Sequence, residues 1–170
     1  MSDLSSLIAR LEKVEGPSRE IDAEIMFDAF ATPVGKHKED GGPIGYIRLD
    51  DQPSWNLGLR FPGKDRAWFA ATRKQIKGET LLIERDGAFV LMNSLRIPEL
   101  TSSIDAAVSL AERVLPNLSK IQPETYVGGE FHHCEIETED GDFEAHNCPN
   151  SAIAICLATL RALQQKGAAK

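Results

Sequence analysis

The feature of this 170-residue sequence that most restricts its fold is a hairpin signal at residues 80–93. Asp86-Gly87, a dipeptide that favours a two-residue turn, lies there between two apolar runs. A turn at this dipeptide places Ile83 opposite Val90 on one side of the strand pair. It directs Leu82 and Leu91 to the other side. Both faces of the hairpin are then apolar, so both need cover.

Cover on both faces favours a sheet between helical layers. Apolar spacing and capping residues predict helices at residues 4–14, 18–30, 104–115 and 150–163, and strands at residues 45–49, 55–61, 118–122, 130–138 and 142–146. We therefore predict an α+β fold, an α/β/α sandwich with a mainly antiparallel sheet between helical layers.

The length fits one domain, and we predict a single domain at residues 1–170 with a loop, hairpin and helix insertion at about residues 31–79. Within the insertion we expect an exposed loop at residues 32–42 and a helix that starts at Asp65. The three cysteines lack C-x-x-C spacing, which indicates free thiols in a reducing compartment.

Charge excludes some partners and indicates another. The net charge of −7 argues against duplex nucleic acid and anionic lipid, and we expect no membrane partner and a cytoplasmic location. Residues 31–80 carry nine Lys or Arg against six Asp or Glu, whereas residues 121–160 carry eight acidic residues and no basic one. If the protein binds an anion, the first of these stretches is where the ligand is expected.

Basic and aromatic side chains lie near one another in that stretch, and such a combination can hold a phosphate and stack a base. The alternative is that the aromatic residues fill the core while the lysines keep a helix soluble. The predicted ligand-binding residues are Arg48, Trp55, Arg60, Lys64, Arg66, Trp68, Arg73, Lys74 and Lys77.

A second hairpin is predicted around Asp140-Gly141. With these two residues as the loop, Glu135 lies opposite His146 and His133 lies opposite Cys148. His133, His146 and Glu135 are then weak candidates for a metal site, without H-x-x-x-H or C-x-x-C spacing. The alternative is a solvated polar face opposite a buried one.

Phe131 falls on the polar side in this register, which predicts a bulge near Gly128-Gly129.

No nucleophile elbow, Walker loop or dinucleotide fingerprint is present in the sequence. No catalytic residue and no cofactor is therefore predicted, and an enzyme is the less expected class. The order helix, three strands, helix after residue 104 resembles a double-stranded-RNA-binding domain in outline. Residues 147–151 lack the lysines that such domains use.

Three stretches, residues 16–22, 100–107 and 149–163, together resemble the phage ABA sandwich domain family of small phage and prophage proteins. The resemblance implies helix, sheet and helix layers and a phage-encoded protein inside a bacterial cell. It brings no catalytic set, because the family has no established general activity. After Pro116 the sequence departs from the tryptophan-bearing strand that is common in the family.

These observations lead to three hypotheses. The first is a phage-encoded accessory binding protein, a counter-defence protein that sequesters a host nucleotide immune signal without catalysis. The second is a protein-interaction or structural homo-oligomeric phage module, with Trp55, Trp68 and Phe89 on the surface that meets a host protein or a second copy. The third is a metal-dependent enzyme.

Overall fold

The computed structural model describes residues 4–34, 46–49, 52–62, 67, 80–85, 88–126 and 128–168, and for most strand residues between 31 and 62 it describes the backbone alone. These residues belong to two compact units. The first combines Met1–Asp22 with Pro98–Lys170, and the second is Ala23–Ile97. Each unit contains its own antiparallel sheet, so the predicted α+β class is confirmed.

Helices with bounds in the described ranges are α1 (Leu4–Leu11), α2 (Arg19–Phe30), α3 (Ile104–Val114) and α4 (Ser151–Ala168). Three of them begin at a capping side chain. The side chains of Ser18, Ser103 and Asn150 each accept a hydrogen bond from the backbone N–H three residues further on, at 3.3, 3.2 and 2.8 Å. These bonds satisfy donors that a helix start would otherwise leave unpaired.

The sheet of the second unit contains five strands in the order β1-β2-β3-β5-β4. Its strands are β1 (Ala31–Val34), β2 (Tyr46–Leu49), β3 (Gln52–Pro62), β4 (Thr80–Arg85) and β5 (Ala88–Asn93).

The predicted register of the β4–β5 hairpin is confirmed, since Ile83 pairs with Val90. Strand β2 pairs with β3 in antiparallel orientation. The loop prediction was wrong for residues 32–34, because the backbone of β1 pairs with β2, where Thr32 lies opposite Arg48. The helix predicted to start at Asp65 lies outside the described residues.

The sheet of the first unit contains three strands, β6 (Leu118–Thr125), β7 (His132–Thr138) and β8 (Gly141–Cys148), in that order. Helix α4 packs against all three strands and against α1 and α3. From Ala152 to Leu160 the helix is buried on every side, and all of these residues except Thr159 are apolar. The helices therefore cover one face of this sheet.

A buried polar network joins the start of α2 to the segment before α3. The carboxylate of Asp22, 1% exposed, accepts hydrogen bonds of 2.8 Å from both the backbone N–H and the hydroxyl of Thr101, and one of 2.7 Å from Arg19. The Ser18 N–H donates to the Thr101 hydroxyl at 2.9 Å, and Asn150 donates to the Thr101 carbonyl at 3.1 Å. The three stretches that carry the family resemblance therefore meet at Thr101.

That the chain forms one domain with an insertion at about residues 31–79 stays a prediction.

Candidate functional site

The side of the three-stranded sheet opposite its buried residues carries most of its charge. Alternation along the strands buries Cys134, Ile136, Phe143 and Ala145 on the helix side. The partner register places the polar residues together on the other side. We call this side the acidic sheet face; its residues are Lys120, Gln122, Glu124, His133, Glu135, Glu137, Asp142, Glu144 and His146.

Two neighbouring rungs of this face pair carboxylates with carboxylates. Glu135 lies directly opposite Glu144, and Glu137 lies directly opposite Asp142. Directly opposed like charges destabilise an antiparallel pair by roughly 0.2–1 kcal/mol. The arrangement therefore works against the stability of the sheet.

One lysine compensates part of this charge. Lys120 donates a hydrogen bond of 2.7 Å to Glu137 and lies 3.8 Å from Glu135. The hydrogen bond to Glu137 raises the pKa of the lysine. Glu144 and Asp142, on β8, have no such contact with this lysine among the ion pairs of the described residues.

Two imidazole rings stack at one end of the face. The ring centroids of His133 and His146 lie 4.3 Å apart, with planes inclined by 20°. A bulge in β8 brings them together, because His146 and Asn147 both lie opposite His133. Asn147 adopts a φ of 55°, a left-handed conformation that asparagine tolerates better than most residues.

The predicted register of this hairpin was wrong by two residues, and Glu135 does not lie opposite His146. Thr138 pairs with Gly141, so the loop is Glu139-Asp140. The Thr138 hydroxyl fixes this turn, since it accepts from the Asp140 N–H and donates to the Gly141 carbonyl, both at 3.1 Å. A shift of two preserves the side on which each residue lies, so the shared polar face was predicted correctly.

Cys148 departs from the predicted face. It is 4% exposed, because the bulge pairs Cys148 with His132 instead of His133. The predicted position of the bulge, near Gly128-Gly129, was wrong, because the register shift lies in β8 at His146-Asn147. Both glycines adopt positive φ in the turn between β6 and β7.

Tyr126 extends the pair of imidazoles into a row of three rings. Its ring centroid lies 6.5 Å from that of His133, and the residue is 48% exposed. The Nδ1 atom of His133 is buried and has no hydrogen-bond partner among the described residues. Phe131, 50% exposed, accepts a backbone hydrogen bond from Tyr126 at the same end of the sheet.

His132 is separate from this row and links strands to helix. Its Nδ1 lies 3.1 Å from the hydroxyl of Thr125 and 2.9 Å from that of Ser151. These contacts fix the ends of β6 and β7 to the start of α4.

The thiols are poor nucleophiles. All three cysteines are free and buried, and burial raises the pKa of Cys134 to about 12 and also raises the pKa values of Cys148 and Cys156. A thiol reacts as its thiolate, so these residues stay unreactive near neutral pH.

The sequence also indicated metal ligation as a possible chemistry of this face. In the described part of the chain, no three side chains of His, Cys, Asp or Glu are grouped so that they could hold a metal ion. The weak candidates His133, His146 and Glu135 lie on one face, but they do not form such a group.

The predicted ligand-binding residues fall in two groups. For Arg48, Trp55 and Arg60 the structure describes strand backbone and no side chain. The others lie outside the described residues: Lys64, Arg66, Trp68, Arg73, Lys74 and Lys77.

Phe89 does not lie on the predicted partner surface, since it is 6% exposed. Its strand β5 is flanked by β3 and β4, which explains the burial.

Tyr126, in contrast, was not predicted from the sequence as a residue of this face. Its alternation with Gln122 and Glu124, continued past the end of β6, was the available signal.

No family model, curated protein or solved structure was found to match this chain. None of the helices in the described ranges combines the length and the apolar character needed to cross a membrane.

Proposed function

We propose that this protein is a binding protein without catalysis, and that its acidic sheet face captures a basic segment of a partner protein. The observation that carries the proposal is the pair of neighbouring carboxylate rungs, Glu135 with Glu144 and Glu137 with Asp142. Such rungs lower the stability of the free protein, and cationic side chains of a partner would relieve their repulsion.

Charge complementarity identifies the partner's chemistry. Lysine or arginine side chains can neutralise closely spaced carboxylates. Complementary electrostatic potentials also accelerate the association of the two proteins. A bare metal ion fits less well, because the described residues contain no group of ligands for one. A basic protein segment can instead meet several carboxylates at once.

The edges of the sheet favour recognition through the face. Pro123, in the edge strand β6, has no N–H to offer an added strand. At the opposite edge, Arg161 donates to the backbone carbonyl of Glu144 in β8. Both features hinder the addition of a fourth strand.

The test compares two doubly neutralised variants that change net charge equally. Glu135→Gln with Glu144→Gln alters the acidic sheet face, and Glu15→Gln with Glu112→Gln alters exposed residues elsewhere. Binding of a short oligolysine peptide is measured by calorimetry at several salt concentrations. We expect the first variant to lose at least about fivefold in affinity and the control to bind like the wild type.

Stability gives an independent measurement on the same variants. The face variant should be as stable as the wild type or more stable, by up to about 1 kcal/mol, because one like-charge rung is removed. Equal affinity losses in both variants would contradict the proposal. So would self-association, seen by light scattering, that the face variant abolishes, because the occupant would then be a second copy of the chain.

A second candidate function is capture of a small nucleotide, as a phage-encoded counter-defence protein in the cytoplasm of a bacterial host. The basic character of residues 31–80, next to the family resemblance, favours it. Calorimetry with cyclic oligonucleotides and cyclic ADP-ribose-type ligands tests it, with Arg66→Ala and Arg73→Ala as variants. The absence of binding at high micromolar ligand would exclude it.

A further inference from the structure

The row formed by Tyr126, His133 and His146 occupies one end of the acidic sheet face. His133 lies in the middle, with His146 stacked on one side at 4.3 Å and Tyr126 tilted at 6.5 Å. The side chain of His146 is 50% exposed although one of its faces rests on His133. Its other face is therefore open to a ligand.

Carboxylates surround this row. An Oε atom of Glu144 lies 2.8 Å from Nε2 of His146, in contact with the edge of the ring. Glu124 lies directly opposite His133 across the β6–β7 pair. A flat cation on the open ring face of His146 would thus have the Glu144 carboxylate within reach at the edge of the ring.

The stacking of the His133 and His146 rings arises from the local backbone geometry and lies outside the buried core. It depends on the bulge at which His146 and Asn147 share one partner, and on the positive φ of Asn147. Bulges commonly redirect a side chain next to a functional site. Here the result is a ring surface, exposed among acidic residues.

We propose that this row is an arginine subsite, which receives a guanidinium group of the basic partner. The inference rests on the proposed function and adds that the bound segment is preferred when it contains arginine instead of lysine at this position. A guanidinium is planar, stacks on aromatic rings and forms paired hydrogen bonds with a carboxylate, whereas a lysine ammonium is a compact, strongly hydrated charge. The remaining carboxylate rungs accept either cation.

The expected preference is modest and measurable. Stacking of a cation on one exposed ring corresponds to an affinity gain of about two- to fivefold. The wild-type protein should therefore bind an oligoarginine peptide more tightly than an oligolysine peptide of the same length, by at least this factor.

The test measures both peptides by calorimetry against wild type, His146→Ala and His146→Phe. The alanine variant should lose the arginine preference, so that it binds the two peptides with equal affinity. The phenylalanine variant restores a ring face without the imidazole nitrogens, and it should keep the preference. Circular dichroism of each variant checks that the sheet is intact.

The outcomes separate this inference from the function on which it rests. Failure of both peptides to bind overturns the proposed function. Binding of both peptides with equal affinity overturns the arginine subsite alone, and so does a preference that survives His146→Ala or disappears in a folded His146→Phe.

Discussion

Replacing Thr101 with valine removes one buried hydroxyl while the shape of the side chain is kept. Thr101 is 0% exposed, and its hydroxyl donates to the Asp22 carboxylate at 2.8 Å and accepts from the Ser18 N–H at 2.9 Å. Valine can do neither. Asp22 keeps its hydrogen bonds from the Thr101 backbone and from Arg19, but the Ser18 N–H loses this partner.

The magnitude follows from these two losses. A hydrogen bond to a charged group contributes about 2 kcal/mol, and leaving the half-buried Ser18 N–H without this partner costs about 1 kcal/mol more. No cavity term is added, because the two side chains have nearly the same volume. We expect Thr101→Val to lower the free energy of unfolding by about 3 kcal/mol.

Thr159→Val is the matched control. Thr159 is also 0% exposed, but its hydroxyl donates to the carbonyl of Ile155, four residues earlier in α4, at 2.7 Å. That carbonyl keeps its helical backbone partner when the hydroxyl is removed. The control should therefore lose less than about 1 kcal/mol.

Urea denaturation followed by circular dichroism measures both variants, with slopes compared to confirm the same transition. The reasoning is refuted if the two valine variants are equally destabilised, or if Thr101→Val costs less than about 1 kcal/mol. Either result would mean that the Asp22 carboxylate does not depend on this hydroxyl.

Three further predictions test other parts of the structure. Because burial raises the folded-state pKa of Cys134 from 9.0 to about 12, the unfolded chain loses this proton first, and stability should fall as pH rises from about 9 to about 12; denaturation of Cys134→Ala should show a shallower fall. Gly58→Ala would place a Cβ 2.5 Å from the Leu91 carbonyl oxygen and should cost about 2 kcal/mol or more, whereas Gly16→Ala, with nothing within 4 Å, should be nearly neutral in urea denaturation. Asn150→Ala removes the cap of α4 and the hydrogen bond to the Thr101 carbonyl, and should lower the thermal midpoint by an amount that corresponds to about 2 kcal/mol.

Local signals predicted the hairpins and helix caps because turn and capping chemistry depends on a few adjacent residues. Asp86-Gly87 sufficed for the register in which Ile83 pairs with Val90. At Asp140-Gly141 the same dipeptide gave the wrong register, because the Thr138 hydroxyl selects the loop one position earlier. Two hairpins with the same turn signal thus differ through one neighbouring side chain.

The row of rings could not be predicted, because it depends on a bulge. Periodicity placed His133 and His146 on one face, but only the extra residue at Asn147 stacks their rings. The division of the strands between two sheets was also beyond the sequence, since alternation shows which residues are buried and not which strands pair. Strand β1 illustrates this, because its pairing with β2 is a long-range choice.

The residues behind the family resemblance and the residues behind the proposed binding lie in different places. Residues 16–22, 100–107 and 149–163 meet at Asp22, Thr101 and Asn150, where they hold the first unit together. None of them belongs to the acidic sheet face. Residues that hold a scaffold together can support unrelated surfaces. They therefore do not identify the partner, which has to be sought through the charges of the sheet face itself.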